Sequence, residues 1–370
     1  MKVAIVYDRV NKWGGAERVL LALHEIFPDA PLYTSVYDPK NAPWAKVFPE
    51  VRPSFLQKIP LARSNHEFLG ALMPIAFESF DFTGFDTVIS VTSEAAKGIR
   101  TKPGTLHICY CLTPTRYLWS SKDFYFNSPP SKFGFIPFFK NLSVPFINYL
   151  RNWEMAASQR PDKIVAISTE VKDRIRKYYH RDADIIFPPV GSISASKKNT
   201  VRPRSRKYYL IVNRLIPYKR VDLAIEAFNK LGYPLHIVGS GSEELKLKKI
   251  AGSNIKFFGQ VNDQKLKDLY LGAKALIMPQ EEDFGIVAVE AQAYGVPVIA
   301  YKKGGAVDTV ISDKTGVFFE EQNVESLTDA IKRFEKMQFV VDNLFTNAKR
   351  FSFEAFKSKV LNQIFGSNQI

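Results

Sequence analysis

The sequence predicts an α/β protein with two parallel-sheet domains. Short apolar runs such as Val3–Tyr7 alternate with helix-length segments, the pattern of parallel strands joined by helical crossovers. The chain has 370 residues, a length that exceeds what one ordinary core accommodates, and 46% of them are hydrophobic. We therefore expect domains over 1–191 and 207–350, joined by a polar, basic linker over 192–206 and followed by a helical segment over 351–370.

A glycine pair follows the first strand. Gly14 and Gly15 lie between Val3–Tyr7 and a helix predicted over 18–27, where they allow the backbone to approach a ligand phosphate or an acceptor. The pair lacks the G-x-G-x-x-G pattern of dinucleotide sites, and a simple tight turn is the alternative. Further strands are predicted in this half at 32–34, 87–91, 106–110 and 163–168.

The second half begins with a strand at Tyr208–Val212. A later glycine turn contains Ser240 and Glu243, whose spacing predicts a capping box for the next helix. Asp263 follows the strand Ile255–Gly259, and its carboxylate either accepts hydrogen bonds from a ligand or caps the helix that extends to 271.

The most informative segment is 278–301. After a strand end and an acidic turn, a short helix begins near Gly285 and is expected to stop at Gly295 in a left-handed cap. Glu282 and Glu290 flank the helix start and suit sugar or ribose hydroxyls, although first-turn acids of a buried crossover are the alternative. The N–H groups that suit a phosphate at this positive helix end belong to Gly285, Ile286 and Val287.

These residues carry a family resemblance. Glu282-x7-Glu290, followed by GVPVIA, resembles the EX7E signature of the retaining glycosyltransferases of family 4, which have the GT-B fold. Segment 111–119 resembles the HTP-x-RY-x-W segment of the family's mannosyltransferase-like branch, and 213–222 resembles its GRL-x-x-x-KG-x-D turn. The resemblance implies two Rossmann-like domains facing a central cleft, an acceptor-side first domain, a donor-binding second domain, and a last helix that crosses back to the first.

The resemblance also implies roles for individual residues. Glu282 would contact donor-sugar hydroxyls and Glu290 the ribose, while Arg214 and Lys219 would neutralise the departing diphosphate, unless these two are only surface charges. Glu282, Arg214 and Lys219 are therefore the catalytic candidates, and we expect neither a metal ion nor a bound cofactor. The candidates for binding are Glu290, Phe284, Gly285, Ile286, Val287, Gly14, Gly15, Gln260, Val261, Asp263, Thr113 and Arg116.

The chain departs from the family pattern at three positions. Leu112 replaces the histidine beside the reaction centre and can neither donate a hydrogen bond nor carry a charge. Either Thr113 or a main-chain carbonyl takes that role, or the enzyme is slow or altered. Asn213 and Arg220 replace two glycines of the second motif. Arg116 retains the family residue, as a contact for an acceptor phosphate or as a structural ion pair.

Charge and composition limit the partners. The net charge of +14 is spread along the chain without a recognised nucleic-acid motif, so we expect no nucleic-acid partner. Anionic phospholipid and nucleotide diphosphates remain as partners, although a solvated basic surface explains most of the lysines. Cys109 and Cys111 are predicted to be reduced core residues. Without a signal peptide or a membrane span, we expect a cytoplasmic protein, with association at the inner face of the cell membrane as an open alternative.

An aromatic and basic segment covers 123–153. Its rings and cations suit a membrane interface or a lipid-linked acceptor, and packing against its own domain is the alternative. The residues that define it are Phe124, Tyr125, Phe126, Phe133, Phe135, Phe138, Phe139, Phe146, Tyr149 and Trp153, with Lys132, Lys140 and Arg151.

The predicted function is retaining transfer of a hexose from a nucleotide diphosphate sugar to a hydroxyl of a glycan or lipid-linked acceptor, in cell-surface polysaccharide synthesis. GDP-mannose is the favoured donor because of the likeness to the mannosyltransferase branch, and because Asp263 can accept from the two donors of a guanine edge. A UDP-hexose-dependent transferase of the same fold and a non-catalytic partner subunit are the alternatives.

Overall fold

Two units, each built on its own parallel sheet, make up the structure. This computed structural model describes residues 1–60, 66–120, 139–191 and 206–366. The first unit comprises Met1–Phe187 and Phe356–Ile370, and the second comprises Pro188–Ala355. The division after residue 187 falls four residues before the predicted end of the first domain at 191. Nearly all of the predicted linker lies outside the described residues.

The first unit has a seven-stranded sheet with strand order β3-β2-β1-β4-β5-β6-β7, in which every neighbouring pair is parallel. Its strands are β1 (Val3–Tyr7), β2 (Leu32–Thr34), β3 (Val51–Pro53), β4 (Thr87–Thr92), β5 (Leu106–Cys111), β6 (Lys163–Ala166) and β7 (Asp184–Ile185). Its helices are α1 (Gly15–Ile26), α2 (Met73–Glu78), α3 (Phe139–Ser158) and α4 (Thr169–Tyr179), with short 3-10 turns at Pro43–Val47, Phe55–Lys58, His66–Leu72 and Ala96–Gly98.

The second unit has a six-stranded sheet with strand order β10-β9-β8-β11-β12-β13, again with parallel pairs throughout. Its strands are β8 (Tyr208–Val212), β9 (Leu235–Val238), β10 (Ile255–Gly259), β11 (Ala273–Met278), β12 (Val298–Tyr301) and β13 (Gly316–Phe319). Its helices are α5 (Val221–Leu231), α6 (Glu244–Ile250), α7 (Asp263–Gly272), α8 (Ile286–Ala293), α9 (Ala306–Thr309), α10 (Val324–Glu335) and α11 (Val341–Lys349), with a 3-10 turn at Pro217–Lys219.

Both faces of each central strand are covered, which explains the unbroken apolar runs in the sequence. On one face of the second sheet, Phe228 of α5 and Ile331 of α10 are completely buried. On the other face, Tyr270 of α7 and Ala288 of α8 pack over β11. Each fully buried side chain of the size of Phe228 contributes roughly 1.5–3 kcal/mol of hydrophobic stabilisation. These two layers hold the ends of β8 and β11 in place.

The chain returns to the first unit at its end, as predicted. The last helix, α12 (Phe353–Phe365), starts in the second unit, and its residues from Phe356 onward belong to the first. Phe356 lies edge-on to Tyr110 of β5 with a centroid distance of 5.9 Å. Lys163 of β6 donates to the Gln363 carbonyl at 2.5 Å.

Several local predictions need correction. Helix α1 begins at Gly15 rather than residue 18, because the extended Gly14 already serves as its N-cap. The capping box at Ser240 is wrong, since α6 begins at Glu244 and the Ser240 hydroxyl accepts from Gln260 instead. Asn262, and not Asp263, caps α7 by accepting from the Lys265 N–H.

One predicted linker residue is a buried structural residue. Arg206 is 8% exposed and donates to the Gly295 carbonyl at 2.6 Å. Burial lowers the pKa of Arg206 below its ordinary value. The assignment of Arg206 to a polar linker is therefore wrong, whereas the left-handed conformation of Gly295 is confirmed by its φ of 69°.

The aromatic segment is described only in part. Residues 123–138 lie outside the described residues, and α3 carries the remainder. Trp153 donates to Glu78 at 2.7 Å and packs against the first core, whereas Tyr149 is 45% exposed. In the described parts of the chain, no helix combines the length and the apolar character that a membrane span needs.

Candidate functional site

The site lies where the strand order of the second sheet reverses. Strands β8 and β11 are neighbours in the sheet although β9 and β10 separate them in sequence. In such doubly wound sheets, ligands bind outside the carboxyl ends of the two strands that flank the reversal. The turn after β8 carries Asn213, Arg214 and Lys219, and the turn after β11 carries Gln280 and Glu282.

A lysine–glutamate pair forms the centre of this site. Lys219 ends the 3-10 turn at Pro217–Lys219, and its Nζ pairs with Oε1 of Glu282. The lysine side chain is 9% exposed and the glutamate side chain 18% exposed. Two of the three predicted catalytic residues are therefore in direct contact although they are 63 residues apart in sequence.

Gln280 contacts the same carboxylate. Its Nε2 donates to Oε1 of Glu282 at 2.9 Å, and the glutamine itself is completely buried. Asn213 forms two amide hydrogen bonds with Gln280, of 3.1 Å and 3.3 Å. Sequence reasoning missed Gln280, and the replacement of a motif glycine by Asn213 was the only signal that pointed to this contact.

Backbone contacts hold Glu282 from the other side. The Gly305 N–H donates to the Glu282 carbonyl at 2.7 Å. A Cβ at Gly305 would lie 2.3 Å from Cα of Phe284, so only glycine allows this close approach. The glycine turn at 304–305 therefore fixes the main chain on which the Glu282 carboxylate stands.

The start of α8 adds main-chain donors. Gly285 has a φ of 85°, which favours glycine, and α8 begins at the next residue, Ile286. The first N–H groups of a helix have no partner within it and carry the positive end of the helix dipole, so those of Ile286 and Val287 suit a phosphate. The Phe284 side chain is buried against Phe351, with a centroid distance of 5.5 Å, so it anchors this start.

Glu290 and Asp263 both influence Tyr294. The Tyr270 hydroxyl donates to Oε2 of Glu290 at 3.1 Å, and Tyr270 stacks on Tyr294 with a centroid distance of 5.3 Å. Burial, followed by the charges of Glu290 and Asp263, raises the pKa of Tyr294. The charges of the predicted ribose and base residues, which are 27 positions apart, thus both act on Tyr294.

The remaining predicted donor-site residues are more exposed. Arg214 is exposed and donates to the Tyr218 hydroxyl at 3.0 Å. Gln260 is also exposed and donates to Ser240 at 3.1 Å, and the half-buried Val261 packs against the second core. Arg220, which replaces a motif glycine, takes a left-handed φ of 48°, a conformation that costs a non-glycine residue roughly 1–2 kcal/mol.

The first unit contains the other predicted residues. Gly14 and Gly15 form the start of α1 after β1. Thr113 is buried and accepts from Arg174 at 3.3 Å. Arg116 is half-buried, and its carbonyl accepts from the Trp119 N–H at 3.3 Å. These residues of the first unit form a second group of candidates.

Glu154 of α3 holds segment 111–119 in place through Thr115 and Trp119, and sequence reasoning also missed this glutamate. Its carboxylate accepts from Lys97 at 2.6 Å, from the Thr115 hydroxyl at 2.7 Å, from Tyr179 at 2.5 Å and from Trp119 at 2.9 Å. Burial raises the pKa of Glu154, but Lys97 and these hydrogen bonds outweigh it, so the pKa ends below its ordinary value.

Two parallel-sheet units, with a carboxylate, a lysine and a helix start at a reversal of strand order, have the architecture of the GT-B fold. Residues 192–351 match the family model "Glycosyl transferases group 1". The match covers most of the second unit, and the resemblance predicted from Glu282 and Glu290 is confirmed.

Known relatives and structures agree with this assignment. An uncharacterized glycosyltransferase of Methanocaldococcus jannaschii is 30% identical over 238 residues, which cover 58% of this chain and 60% of the relative. A GDP-mannose-dependent monoacylated alpha-(1-6)-phosphatidylinositol monomannoside mannosyltransferase of Corynebacterium glutamicum is 36% identical over 135 residues, 32% of this chain and 35% of the relative. The chain thus spans between about a third and three fifths of these two relatives.

The same fold occurs among solved structures. The lipopolysaccharide outer core galactosyltransferase WaaB, in its apo form, superposes with a TM-score of 0.70 at 18% identity, over 99% of both chains. At this identity the match shows the fold alone.

Proposed function

We propose that this protein transfers mannose from GDP-mannose to a hydroxyl of a glycan or lipid-linked acceptor, with retention of anomeric configuration. The observation that carries the proposal is the contact between Lys219 and Glu282 at the ends of β8 and β11. This contact supports the proposal because a cation that suits a diphosphate lies next to a carboxylate that suits sugar hydroxyls, and α8 begins four residues after that carboxylate.

The carboxylate has capacity left for a sugar. Lys219 and Gln280 both use Oε1 of Glu282, and no described residue donates to Oε2. An ionised carboxylate only accepts hydrogen bonds, and sugar hydroxyls supply the matching donors. We therefore assign Oε2 to hydroxyls of the donor sugar.

The phosphate contacts follow from the charges around the carboxylate. Lys219, the N–H groups at the start of α8, and Arg214 would stabilise the negative charge that develops on the leaving nucleoside diphosphate. Lys219 is paired in the structure, so it would share its protons between Glu282 and the phosphate. The chain needs no further acid to protonate a diphosphate leaving group, because these cations already stabilise it.

The choice of GDP-mannose has two supports. The relative from Corynebacterium glutamicum is itself GDP-mannose-dependent. Asp263 is exposed at the start of α7, and because Asn262 serves as the cap, the Asp263 carboxylate is available to accept from the paired donors of a guanine edge. A role in cell-surface polysaccharide synthesis, a cytoplasmic location and contact with an anionic membrane remain predictions.

Retention is proposed from the family likeness together with Leu112. Its half-buried side chain has no acid or base function, and its N–H donates to the Thr92 carbonyl at 2.8 Å. The leaving phosphate would then guide and deprotonate the acceptor hydroxyl on the face that it leaves. Such a mechanism returns the α-configured linkage of the donor.

Titration calorimetry of the full chain with GDP-mannose, GDP, UDP-glucose and UDP tests the donor. We expect GDP-mannose to bind more tightly than UDP-glucose. Tighter binding of UDP-glucose would replace the donor, and binding of none of the four would overturn the proposal. Proton NMR of the sugar released during slow donor hydrolysis then tests retention, with α-mannose expected as the first anomer and β-mannose contradicting it. Binding without any turnover would favour a non-catalytic partner subunit.

A further inference from the structure

Two amide side chains stand behind the donor-site carboxylate. Gln280 is completely buried, and its Nε2 donates to Oε1 of Glu282 at 2.9 Å. Asn213 fixes the orientation of this amide, because its Nδ2 donates to Gln280 Oε1 at 3.1 Å and its Oδ1 accepts from Gln280 Nε2 at 3.3 Å. The glycine that the family motif has at position 213 could make neither contact.

The amide pair has a property that Lys219 lacks. A lysine on Oε1 carries a charge that an arriving diphosphate attracts, so its contact with Glu282 weakens when the donor binds. A neutral amide has no such competing attraction. Gln280 would therefore keep its hold on Oε1 in both the empty and the donor-bound site.

We propose that Gln280, oriented by Asn213, is a positioning residue that holds Glu282 with Oε2 turned to the donor sugar, and so sets the selectivity for nucleotide sugar over free nucleotide. This inference rests on the proposed function of Glu282. It assigns to the Asn213 replacement a specific role that the motif glycine cannot perform.

The consequence is separable from simple stability. Glu282 would contact only the sugar, so loss of its orientation should weaken binding of GDP-mannose and leave binding of GDP unchanged. A purely structural role of Gln280 would weaken both ligands together. The ratio of the dissociation constant of GDP to that of GDP-mannose therefore isolates the positioning role.

The test is calorimetry with GDP-mannose and GDP on the wild type, Gln280→Met, Asn213→Gly and the double variant. The loss of one hydrogen bond to a charged group predicts a ratio about tenfold lower in Gln280→Met. Asn213→Gly should lower the ratio less, and the double variant should match Gln280→Met, because Asn213 acts only through Gln280.

Gln292→Met is the matched control. Gln292 is likewise completely buried in the second unit, but it donates to the carbonyls of Ala288 and Thr309 and makes no hydrogen bond to a carboxylate of the described residues. It should lower the melting temperature and leave the ratio unchanged.

The possible failures can be told apart. If wild-type protein binds GDP-mannose no better than GDP, with UDP-glucose and UDP also equal, the proposed function of Glu282 fails. If the wild type prefers a nucleotide sugar and Gln280→Met keeps the same ratio, the positioning role alone is overturned. Should Gln280→Met not fold, the ratio for Asn213→Gly decides, and a value equal to that of the wild type overturns the role.

Discussion

The two units each contain a lysine–glutamate pair, and the pairs differ in how fully the carboxylate is used. In the first unit, Lys97 and Glu154 are both 1% exposed, and both oxygens of Glu154 accept hydrogen bonds. In the second unit, Lys219 and Glu282 are 9% and 18% exposed, and the described donors meet on one oxygen, Oε1.

The difference separates a structural pair from the pair that we propose as a ligand site. A carboxylate whose oxygens are both occupied, in a fully buried place, can offer a ligand nothing and strongly destabilises the fold if its charge is removed. A carboxylate with one open oxygen near solvent has capacity left for hydroxyls. The same pair of residue types thus serves packing in one unit and, as we propose, binding in the other.

The largest expected effect is on stability at Glu154. Glu154→Gln leaves the buried Lys97 without its counter-charge, so the free energy of unfolding should fall by about 3–5 kcal/mol. Urea denaturation followed by fluorescence measures the change. A loss below about 1 kcal/mol would show that this pair is not the structural one.

The same substitution at the other pair should act on activity. Glu282→Gln keeps an amide oxygen for Lys219 but loses the charge that strengthens hydrogen bonds from sugar hydroxyls, so we expect transfer or donor hydrolysis to fall about 100-fold. Unfolding in urea should shift by about 1 kcal/mol or less. Full activity in this variant would remove Glu282 from the site, and a stability loss equal to that of Glu154→Gln would remove the contrast.

Acid should destabilise the first unit more than the second. Burial lowers the pKa of His107 from 6.5 to about 3, and burial lowers that of the half-buried His236 to about 4. Below pH 6.5 this histidine is protonated in the unfolded chain but stays neutral in the folded protein. The stabilisation from neutral His107 is therefore fully present above pH 6.5 and is lost as the pH falls toward 3. The slope is about 1.4 kcal/mol per pH unit for such a group.

Urea denaturation at pH 7, 5.5 and 4.5 tests this dependence. His107→Gln should flatten the pH dependence more than His236→Gln does. The reverse order, or equal slopes in both variants, would contradict the difference between the units. Glu154 adds to the loss of stability only at lower pH. Its pKa is lowered in the folded protein, so it stabilises the fold above the ordinary pKa of glutamate. This stabilisation is lost as the pH falls through the pKa of Glu154 in the folded protein.

The smallest effect is expected at Arg214, the exposed counterpart of Lys219. Arg214→Ala should change the free energy of unfolding by less than about 1 kcal/mol, because exposed charges contribute little. The affinity of the Arg214→Ala variant for GDP should be about tenfold lower than that of the wild type at low salt. The difference should be smaller at high salt, because ions screen the attraction between an exposed charge and the phosphates. Calorimetry at two salt concentrations measures this, and an unchanged affinity at both would show that Arg214 does not meet the phosphates.

The sequence alone was sufficient for features that depend on neighbours along the chain. Unbroken apolar runs predicted the strands, and Gly295 predicted a left-handed helix end, because both depend on backbone sterics and on burial of a few adjacent residues. The motif spacing of Glu282 and Glu290 predicted the site for the same reason, since one strand, turn and helix carry both residues.

Only the tertiary structure decided which side chains meet. Gln280 contacts Asn213 across 67 residues and Glu154 contacts Lys97 across 57, and neither pair has a local pattern that reveals it. The sequence assigns Arg206 to a polar linker, whereas in the structure it donates to the Gly295 carbonyl. The contact of Gln280 with Asn213 forms where β8 and β11 end side by side, so the order of strands in the sheet determines it. The other two contacts depend on how helices and turns pack in the fold.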